Sequence, residues 1–219
     1  MKPKRTLIAI PCMDQVAAPF AQSLATLTKE GECFISMIIA SLVYESRNNL
    51  AQQALALDCD YIMWFDSDMI FQPDVLQRML RHMEDGKDMV TGIYYRRRQP
   101  YSPVLFSKLE IDGVKSVWEP YNDIPEEGLF EVEGCGFGCV CMKTDFLMDI
   151  GAEEGAAWFT PMAGFGEDLS FCYRARKHGV KIWADPEIQL GHVGQVIVDQ
   201  HVYKTTKDMI EAQKNAGNS

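Results

Sequence analysis

Short apolar runs alternate with segments of helical periodicity in the first part of the chain. The runs predict buried strands, and the periodic segments predict amphipathic helices. The predicted order is strand 6–10, helix 16–28, strand 33–39, helix 46–57, strand 61–65 and a helix that begins at Pro73. This alternation is typical of a doubly wound α/β fold, whose mostly parallel sheet binds ligands beyond the carboxyl ends of its strands.

The second half of the chain mixes strands and helices less regularly. We expect strands at 89–95, 104–109, 131–142 and 180–184, a hairpin turn at 111–114, and helices at 167–178 and 205–214. The hairpin implies a small antiparallel portion beside the parallel sheet. Because no repeat, low-complexity tract or linker divides the sequence, residues 1–219 are expected to form a single α/β domain.

The composition adds to this picture mainly by exclusion. Hydrophobic residues make up 47% of the chain and charged residues 24%, which is typical of a globular protein. No apolar run is long enough to span a bilayer, so we expect no integral membrane association. The seven cysteines are scattered and odd in number, which favours a reducing, cytoplasmic compartment. Cys135, Cys139 and Cys141 lack the paired spacing of a zinc site, so zinc is disfavoured.

The charge of the chain argues against a broad nucleic-acid-binding surface. The formal net charge is −10, whereas affinity for phosphate backbones comes from lysine and arginine. The basic cluster of the sequence is Arg96–Arg98. Such a cluster is more often a solvated turn, but in an acidic protein it could bind an anionic acceptor or a diphosphate.

Two aspartates follow the third predicted strand, in the sequence Tyr-Ile-Met-Trp-Phe-Asp66-Ser67-Asp68. Carboxylates beside a buried strand are costly unless a cation joins them. With only Ser67 between them, both can face one hard divalent cation, which in turn would bind a diphosphate. A solvated turn is the alternative interpretation. A phosphatase of the haloacid-dehalogenase type is a weaker alternative, because its aspartates normally follow the first strand.

Two further segments carry candidate chemistry. Gly164 and Gly166 lead into Glu167 and Asp168 at the start of a predicted helix, where the helix dipole favours acidic residues in any case. One of the two carboxylates could instead act as a general base on an acceptor hydroxyl. His192 lies among glycines, and its imidazole could complete a carboxylate–metal site, which would favour manganese over magnesium.

In this order and spacing, the three motifs resemble GT-A glycosyltransferases, particularly the family 2-like group. The similarity covers most of the chain, up to His192. It implies that Asp66 and Asp68 hold the metal and the nucleotide diphosphate, and that His192 ligates the metal. It also implies that Asp168 is the general base of an inverting enzyme and that Glu167 positions the acceptor.

The resemblance also predicts a donor pocket. Pro11, at the end of the first strand, and Ser67, within the aspartate pair, are expected to contact the nucleotide. Arg47 is similar to an arginine that approaches the base or the diphosphate, although it could equally be a solvated residue at a helix start. Gly136 lies in a glycine-rich strand that resembles the one beneath the transferred sugar, where a missing side chain lets the backbone approach the ligand.

An acceptor-binding loop is expected at Trp158 and Phe159. Exposed aromatic rings stack well on sugar faces, and the surrounding glycine- and alanine-rich loop could close as a lid. The alternative is that both rings pack in the core.

The function implied by the resemblance is that of a metal-dependent glycosyltransferase of the hexosyltransferase type. It would use Mn²⁺ or Mg²⁺ and a nucleoside-diphosphate sugar, with a UDP-sugar favoured over a GDP-sugar, and would make a single transfer with inversion. The acceptor stays open among a glycan, a protein, a lipid and a modified DNA base. The alternatives are a retaining GT-A transferase, a sugar-phosphate nucleotidyltransferase and a non-catalytic nucleotide- or carbohydrate-binding module of the same fold.

Overall fold

Strands and helices alternate in the first half of the chain, as its pattern predicts. The computed structural model describes residues 3–40, 42–194 and 197–217. Within these residues, the strands are β1 (Arg5–Cys12), β2 (Glu32–Ile39), β3 (Tyr61–Phe65), β4 (Met69–Ile70), β5 (Met89–Ile93), β6 (Leu105–Asp112), β7 (Lys115–Pro120), β8 (Phe130–Val132), β9 (Gly134–Cys135), β10 (Cys139–Lys143), β11 (Ile182–Gln189) and β12 (Gly191–His192). The helices are α1 (Ala18–Thr26), α2 (Val43–Ala56), α3 (Val75–Glu84), α4 (Asp145–Glu154), α5 (Glu167–Lys177) and α6 (Gln200–Gly217). In the described part of the chain, no helix combines the length and the apolar character that crossing a membrane requires.

Seven of the described strands form the central sheet, in the order β2-β1-β3-β10-β5-β11-β8. Strand β1 pairs in parallel with β2 and β3, and β5 pairs in parallel with β11. Strand β10 is antiparallel to both of its neighbours, and β8 is antiparallel to β11. The predicted hairpin joins β6 and β7, which form a separate small sheet with β9. The predicted α/β fold with a mostly parallel central sheet is therefore confirmed.

Helices cover both faces of the central sheet and bury them. Along β1, Leu7 and Ala9 face one apolar cluster, whereas Ile8 and Ile10 face another. Residues of α2, α4 and α5 pack in the first cluster, and residues of α1 and α3 pack in the second. Since a strand that is buried on both faces needs apolar residues at successive positions, β1 and β3 stand out in the sequence as continuous apolar runs.

Some helix boundaries differ from the prediction. Helix α2 begins at Val43 rather than at residue 46, and α3 begins at Val75, just beyond Pro73. Helix α4 was not predicted at all. Its buried residues have helical spacing, but it follows the apolar strand β10 almost at once, and the two runs merge in the sequence. Periodicity alone does not separate a short helix from an adjoining strand.

Trp158 and Phe159 are core residues, so the prediction that they form an exposed acceptor platform is wrong. Trp158 is 4% exposed, and its Nε1 donates a hydrogen bond to the carbonyl oxygen of Leu147 at 2.8 Å. Phe159 is fully buried, with its ring centroid 4.4 Å from that of Phe171 and 5.2 Å from that of Trp64. Burying rings of this size removes a large apolar area from water, which stabilises the fold more than a solvent-exposed position would.

Replacing Phe159 by alanine is expected to lower the free energy of unfolding by about 3–5 kcal/mol, because the change leaves a cavity among packed rings. Phe159→Leu keeps most of the apolar volume and is expected to cost clearly less. Denaturant-induced unfolding measures both values. Met148→Ala, at a side chain that is 63% exposed, is the control and should stay within about 0.5 kcal/mol of the unmodified protein. A Phe159→Ala protein as stable as this control would contradict the core assignment.

Candidate active site

A cavity of about 720 Å³ lies at the carboxyl ends of β1, β3 and β5. Its walls include Pro11 at the end of β1, the segment Asp66–Asp68 after β3, and the arginine cluster Arg96–Arg98 beyond β5. Glu167 and His192, from the other two motifs, also line it. The volume is in the range of sites for small ligands and cofactors. The fold therefore brings the three sequence motifs to one place.

A short antiparallel ladder between β4 and β12 places His192 beside the aspartate pair. In this ladder His192 is opposite Met69, and the backbone N–H of Val193 donates to the carbonyl oxygen of Asp68 at 2.8 Å. The Nδ1 of His192 lies 2.7 Å from the carbonyl oxygen of Tyr95. Because a carbonyl oxygen can only accept, Nδ1 carries the proton, and in the neutral ring the lone pair is on Nε2. That nitrogen lies 3.6 Å from Oδ2 of Asp68.

Asp68 is held by an arginine as well as by the histidine. The Nη1 of Arg97 donates to Oδ2 of Asp68 at 2.8 Å. Burial alone would raise the pKa of the Asp68 carboxyl, but the contact with His192 and the positive charge of Arg97 outweigh burial and lower it. Asp68 is therefore held as a carboxylate between Arg97 and His192.

Asp66 is bound to a second arginine, which is almost completely buried. The Nη2 of Arg47, on α2, donates to Oδ1 of Asp66 at 2.7 Å, and its Nε lies 3.8 Å from Oε1 of Glu167. The Arg47 side chain is 2% exposed. Its guanidinium carbon lies 5.7, 5.3 and 5.9 Å from the ring centroids of Trp64, Phe137 and Phe159, respectively.

The buried guanidinium of Arg47 is not fully satisfied. Its Nε and Nη1 are buried without a hydrogen-bond partner in the described part of the chain. Arg47 is nevertheless one of the residues that line the cavity. Since unpaired buried donors are costly, these groups are candidates for binding an anionic ligand. The alternative prediction, a solvated arginine at a helix start, is wrong.

The acidic pair opens helix α5. Gly166 precedes the helix in an extended conformation, and both acidic residues occupy its first turn, where the helix dipole favours negative charge. Oδ1 of Asp168 accepts the backbone N–H of Leu169 at 2.7 Å. Burial, followed by the charge of Glu167, raises the pKa of Asp168 to about 6, although the backbone hydrogen bond and Arg47 oppose this shift. Glu167 lines the cavity, whereas the adjacent Asp168, which is also partly buried, is not among the lining residues.

Gly136 is explained by packing within the protein. A Cβ at this position would overlap the hydroxyl group of Tyr94 and would lie 2.7 Å from a methyl group of Val104. The hydroxyl oxygen of Tyr94 also accepts the backbone N–H of Gly138 at 3.2 Å. Tyr94 in turn lines the cavity. The glycine thus makes room for a cavity residue, and a direct contact between Gly136 and a sugar stays a prediction.

Pro11 and Ser67 lie where a nucleotide pocket was expected, since both line the cavity. The carbonyl oxygen of Ser67 accepts the backbone N–H of Ala17 at 3.0 Å, which ties the aspartate segment to the residues that precede α1. Tyr94 and the pairing of Arg97 with Asp68 have no local signal in the sequence. Tyr94 and the arginine cluster both follow β5. The rule that ligands bind beyond the carboxyl ends of parallel strands therefore predicts that they lie at the site.

In the described residues, the acidic and histidine side chains are not arranged as a complete set of metal ligands. In the ranges that the structure describes, no three His, Cys, Asp or Glu side chains converge closely enough to hold an ion. The aspartates are paired with arginines instead, Asp66 with Arg47 and Asp68 with Arg97.

Comparisons with known proteins agree with this architecture. Residues 44–142 match the family model described as glycosyl transferase family 2. This segment includes Arg47, the aspartate pair and the arginine cluster. The match supports glycosyl transfer as the general class of activity. No curated protein matches the chain.

Among solved structures, the crystal structure of A197 from STIV is similar, with a TM-score of 0.65 and 22% sequence identity. The similarity covers 90% of this chain and 94% of that chain. At this identity the likeness concerns the fold alone. The fold is therefore consistent with the predicted GT-A fold, and residues 44–142 are similar to the glycosyltransferases of family 2.

Proposed function

We propose that the protein transfers a sugar from a nucleoside-diphosphate sugar to an acceptor hydroxyl group. The observation that carries this proposal is the convergence of the Asp66–Asp68 segment, Glu167 and His192 on one cavity that arginines also line. Carboxylate and imidazole groups suit a divalent cation, and guanidinium groups suit phosphate. The family match supports the same class of reaction.

The donor atoms around Asp68 are of the kinds that bind Mn²⁺ or Mg²⁺, although in the described residues they do not converge on one point. Asp66 and Asp68 offer carboxylate oxygens, and His192 offers Nε2, because its Nδ1 is committed to the carbonyl oxygen of Tyr95. A metal-binding histidine typically donates its other N–H in this way. An imidazole ligand favours Mn²⁺ over Mg²⁺. When bound, the ion would neutralise charge that develops on the departing diphosphate.

The donor would occupy the cavity with its diphosphate near the aspartates. The unpaired N–H groups of Arg47 would gain partners from an anionic ligand. Pro11 and Ser67 would contact the nucleotide, for which we favour UDP over GDP. Gly136 would lie beneath the sugar, behind Tyr94.

Asp168 is the proposed general base. A pKa of about 6 leaves its carboxylate deprotonated at neutral pH, yet more basic than an ordinary aspartate. The acceptor oxygen would give its proton to Asp168 while it bonds to the anomeric carbon. At the same time the bond from that carbon to the diphosphate oxygen breaks, and its electron pair leaves with the diphosphate. Attack opposite the leaving group inverts the configuration, and Glu167 would position the acceptor.

We further propose that a single sugar is transferred in a reducing compartment such as the cytoplasm. All seven cysteines are free, and six of them are buried. Burial raises the pKa of the Cys59 thiol to about 11, so this side chain is an inert thiol in the core. Such cysteine usage supports a reducing environment.

The donor site can be tested by calorimetric titration with UDP and GDP, in the presence and absence of Mn²⁺. We expect Mn²⁺-dependent binding of one nucleotide, with UDP favoured. Asp68→Ala should weaken that binding at least about tenfold, because it removes a metal ligand. Asp149→Ala, which makes the same substitution on the exposed side of α4, should leave it unchanged. Absence of Mn²⁺-dependent binding by any nucleoside diphosphate would contradict the proposed function.

The role of Asp168 predicts a pH dependence of both rate and stability. Since the base must be deprotonated, kcat/KM should rise with pH around a midpoint near 6. The folded-state pKa lies above the value of about 3.9 for an unfolded aspartate. The contribution of this carboxyl to stability is therefore fully present below about pH 4 and is lost as the pH rises through 6. At pH 8 the buried charge costs about 1–3 kcal/mol, so Asp168→Asn should stabilise the protein there and have little effect at pH 4.

Activity and unfolding measurements on the same variants separate these effects. Asp168→Asn should lower kcat by at least about a hundredfold, the usual contribution of a general base. Glu167→Gln removes the neighbouring charge and should shift the midpoint below 6, because that charge raises the pKa of Asp168. An Asp168→Asn enzyme that keeps its rate, or that is destabilised at pH 8, would refute the assignment.

A further inference from the structure

The two aspartates of the Asp66–Asp68 segment are held by arginines in different ways. Arg47, which binds Asp66, is 2% exposed and enclosed by aromatic rings, so its guanidinium cannot leave without disturbing the core. Arg97, which binds Asp68, is 52% exposed and belongs to the segment between β5 and β6. One ion pair is enclosed by packing, and the other has a half-exposed arginine.

Arg97 also lies at the point where metal and donor would meet. Its Nη1 is 2.8 Å from Oδ2 of Asp68 and 3.5 Å from the carbonyl oxygen of Val193. The same Oδ2 lies 3.6 Å from Nε2 of His192. An ion ligated by Asp68 and His192 would therefore compete with the guanidinium for one oxygen atom, and the two positive charges would repel each other.

The neighbouring arginines are not equivalent to Arg97. The backbone N–H of Arg96 donates to the carbonyl oxygen of Ser102 at 3.0 Å, and its guanidinium carbon lies 6.0 and 5.9 Å from the rings of Phe106 and Trp118. Arg98 is exposed and lines the same cavity. Arg97 is thus the cluster member that the structure pairs with an aspartate of the site.

We propose that Arg97 competes with a divalent cation for Asp68 and pairs with the donor's diphosphate when the ion takes its place. This inference rests on the proposed function and adds a named residue that couples metal binding to donor binding. The planar guanidinium can pair with two phosphate oxygens at once. A diphosphate bound to the same ion would give Arg97 a second anionic partner in place of Asp68. The exposure of its side chain permits this exchange of partners without unfolding.

The exchange predicts opposite effects of one substitution on two ligands. In titrations with Mn²⁺ alone, Arg97→Gln should bind the ion about two- to fivefold more tightly than the unmodified protein, because a half-exposed ion pair no longer competes. In titrations with UDP at saturating Mn²⁺, Arg97→Gln should bind about tenfold more weakly, because a charge-assisted contact to phosphate is lost. GDP is titrated in parallel in case it is the donor nucleotide.

Arg81→Gln is the matched control, since it removes the same charge from an exposed position on α3 that does not line the cavity. Its affinity for Mn²⁺ alone should stay unchanged within about a factor of two, the scale of the weakest exposed ion pairs. Equal thermal unfolding midpoints for the three proteins confirm that all are folded. An Arg97→Gln protein whose Mn²⁺ affinity is unchanged or weaker, or whose nucleotide affinity is unchanged, overturns the exchange.

The result for the unmodified protein separates this proposal from the proposed function. If that protein shows no Mn²⁺-dependent nucleotide binding, the donor site itself is refuted. If it binds nucleotide with Mn²⁺ and Arg97→Gln behaves in the same way, the donor site stands and the exchange alone is refuted.

Discussion

One buried cation holds the candidate site together. The guanidinium of Arg47 lies among three aromatic rings, where an arginine without anionic partners would be strongly unfavourable. It binds Asp66, which follows β3, and lies near Glu167, which begins α5. Helix α2, strand β3 and helix α5 therefore meet around one charge. The carboxylates that the proposed chemistry uses are also the groups that this core needs.

For Asp168, in contrast, burial opposes the charged form of the side chain. Because its carboxylate is buried and lies next to Glu167, its pKa is raised to about 6. Arg47 limits that rise without cancelling it. The site thus contains one charge pair that supports the fold and one carboxylate whose ionisation opposes it. Such a local cost is expected where a group is tuned for proton transfer.

Local signals made most of the site predictable. Asp66 and Asp68 follow a strand of five buried residues, and Glu167 and Asp168 begin a helix after glycines, so each motif is visible over a few residues. Long-range partners were not visible in this way. Nothing near Arg47 or Arg97 in the sequence identifies its aspartate, because the fold brings 47 to 66 and 97 to 68. Composition likewise did not separate exposed from buried rings at 158–159, since tertiary packing decides burial.

Double-mutant analysis of Arg47 and Asp66 tests the central role of the buried cation most directly. Denaturant unfolding would be measured for Arg47→Met, Asp66→Asn and the double variant. We expect Arg47→Met to cost about 3–5 kcal/mol, and the two changes to be coupled by about 1–3 kcal/mol. The exposed pair Lys181–Glu131, changed to Met and Gln, should show coupling below about 1 kcal/mol. Additive effects of the Arg47 and Asp66 substitutions would contradict the account.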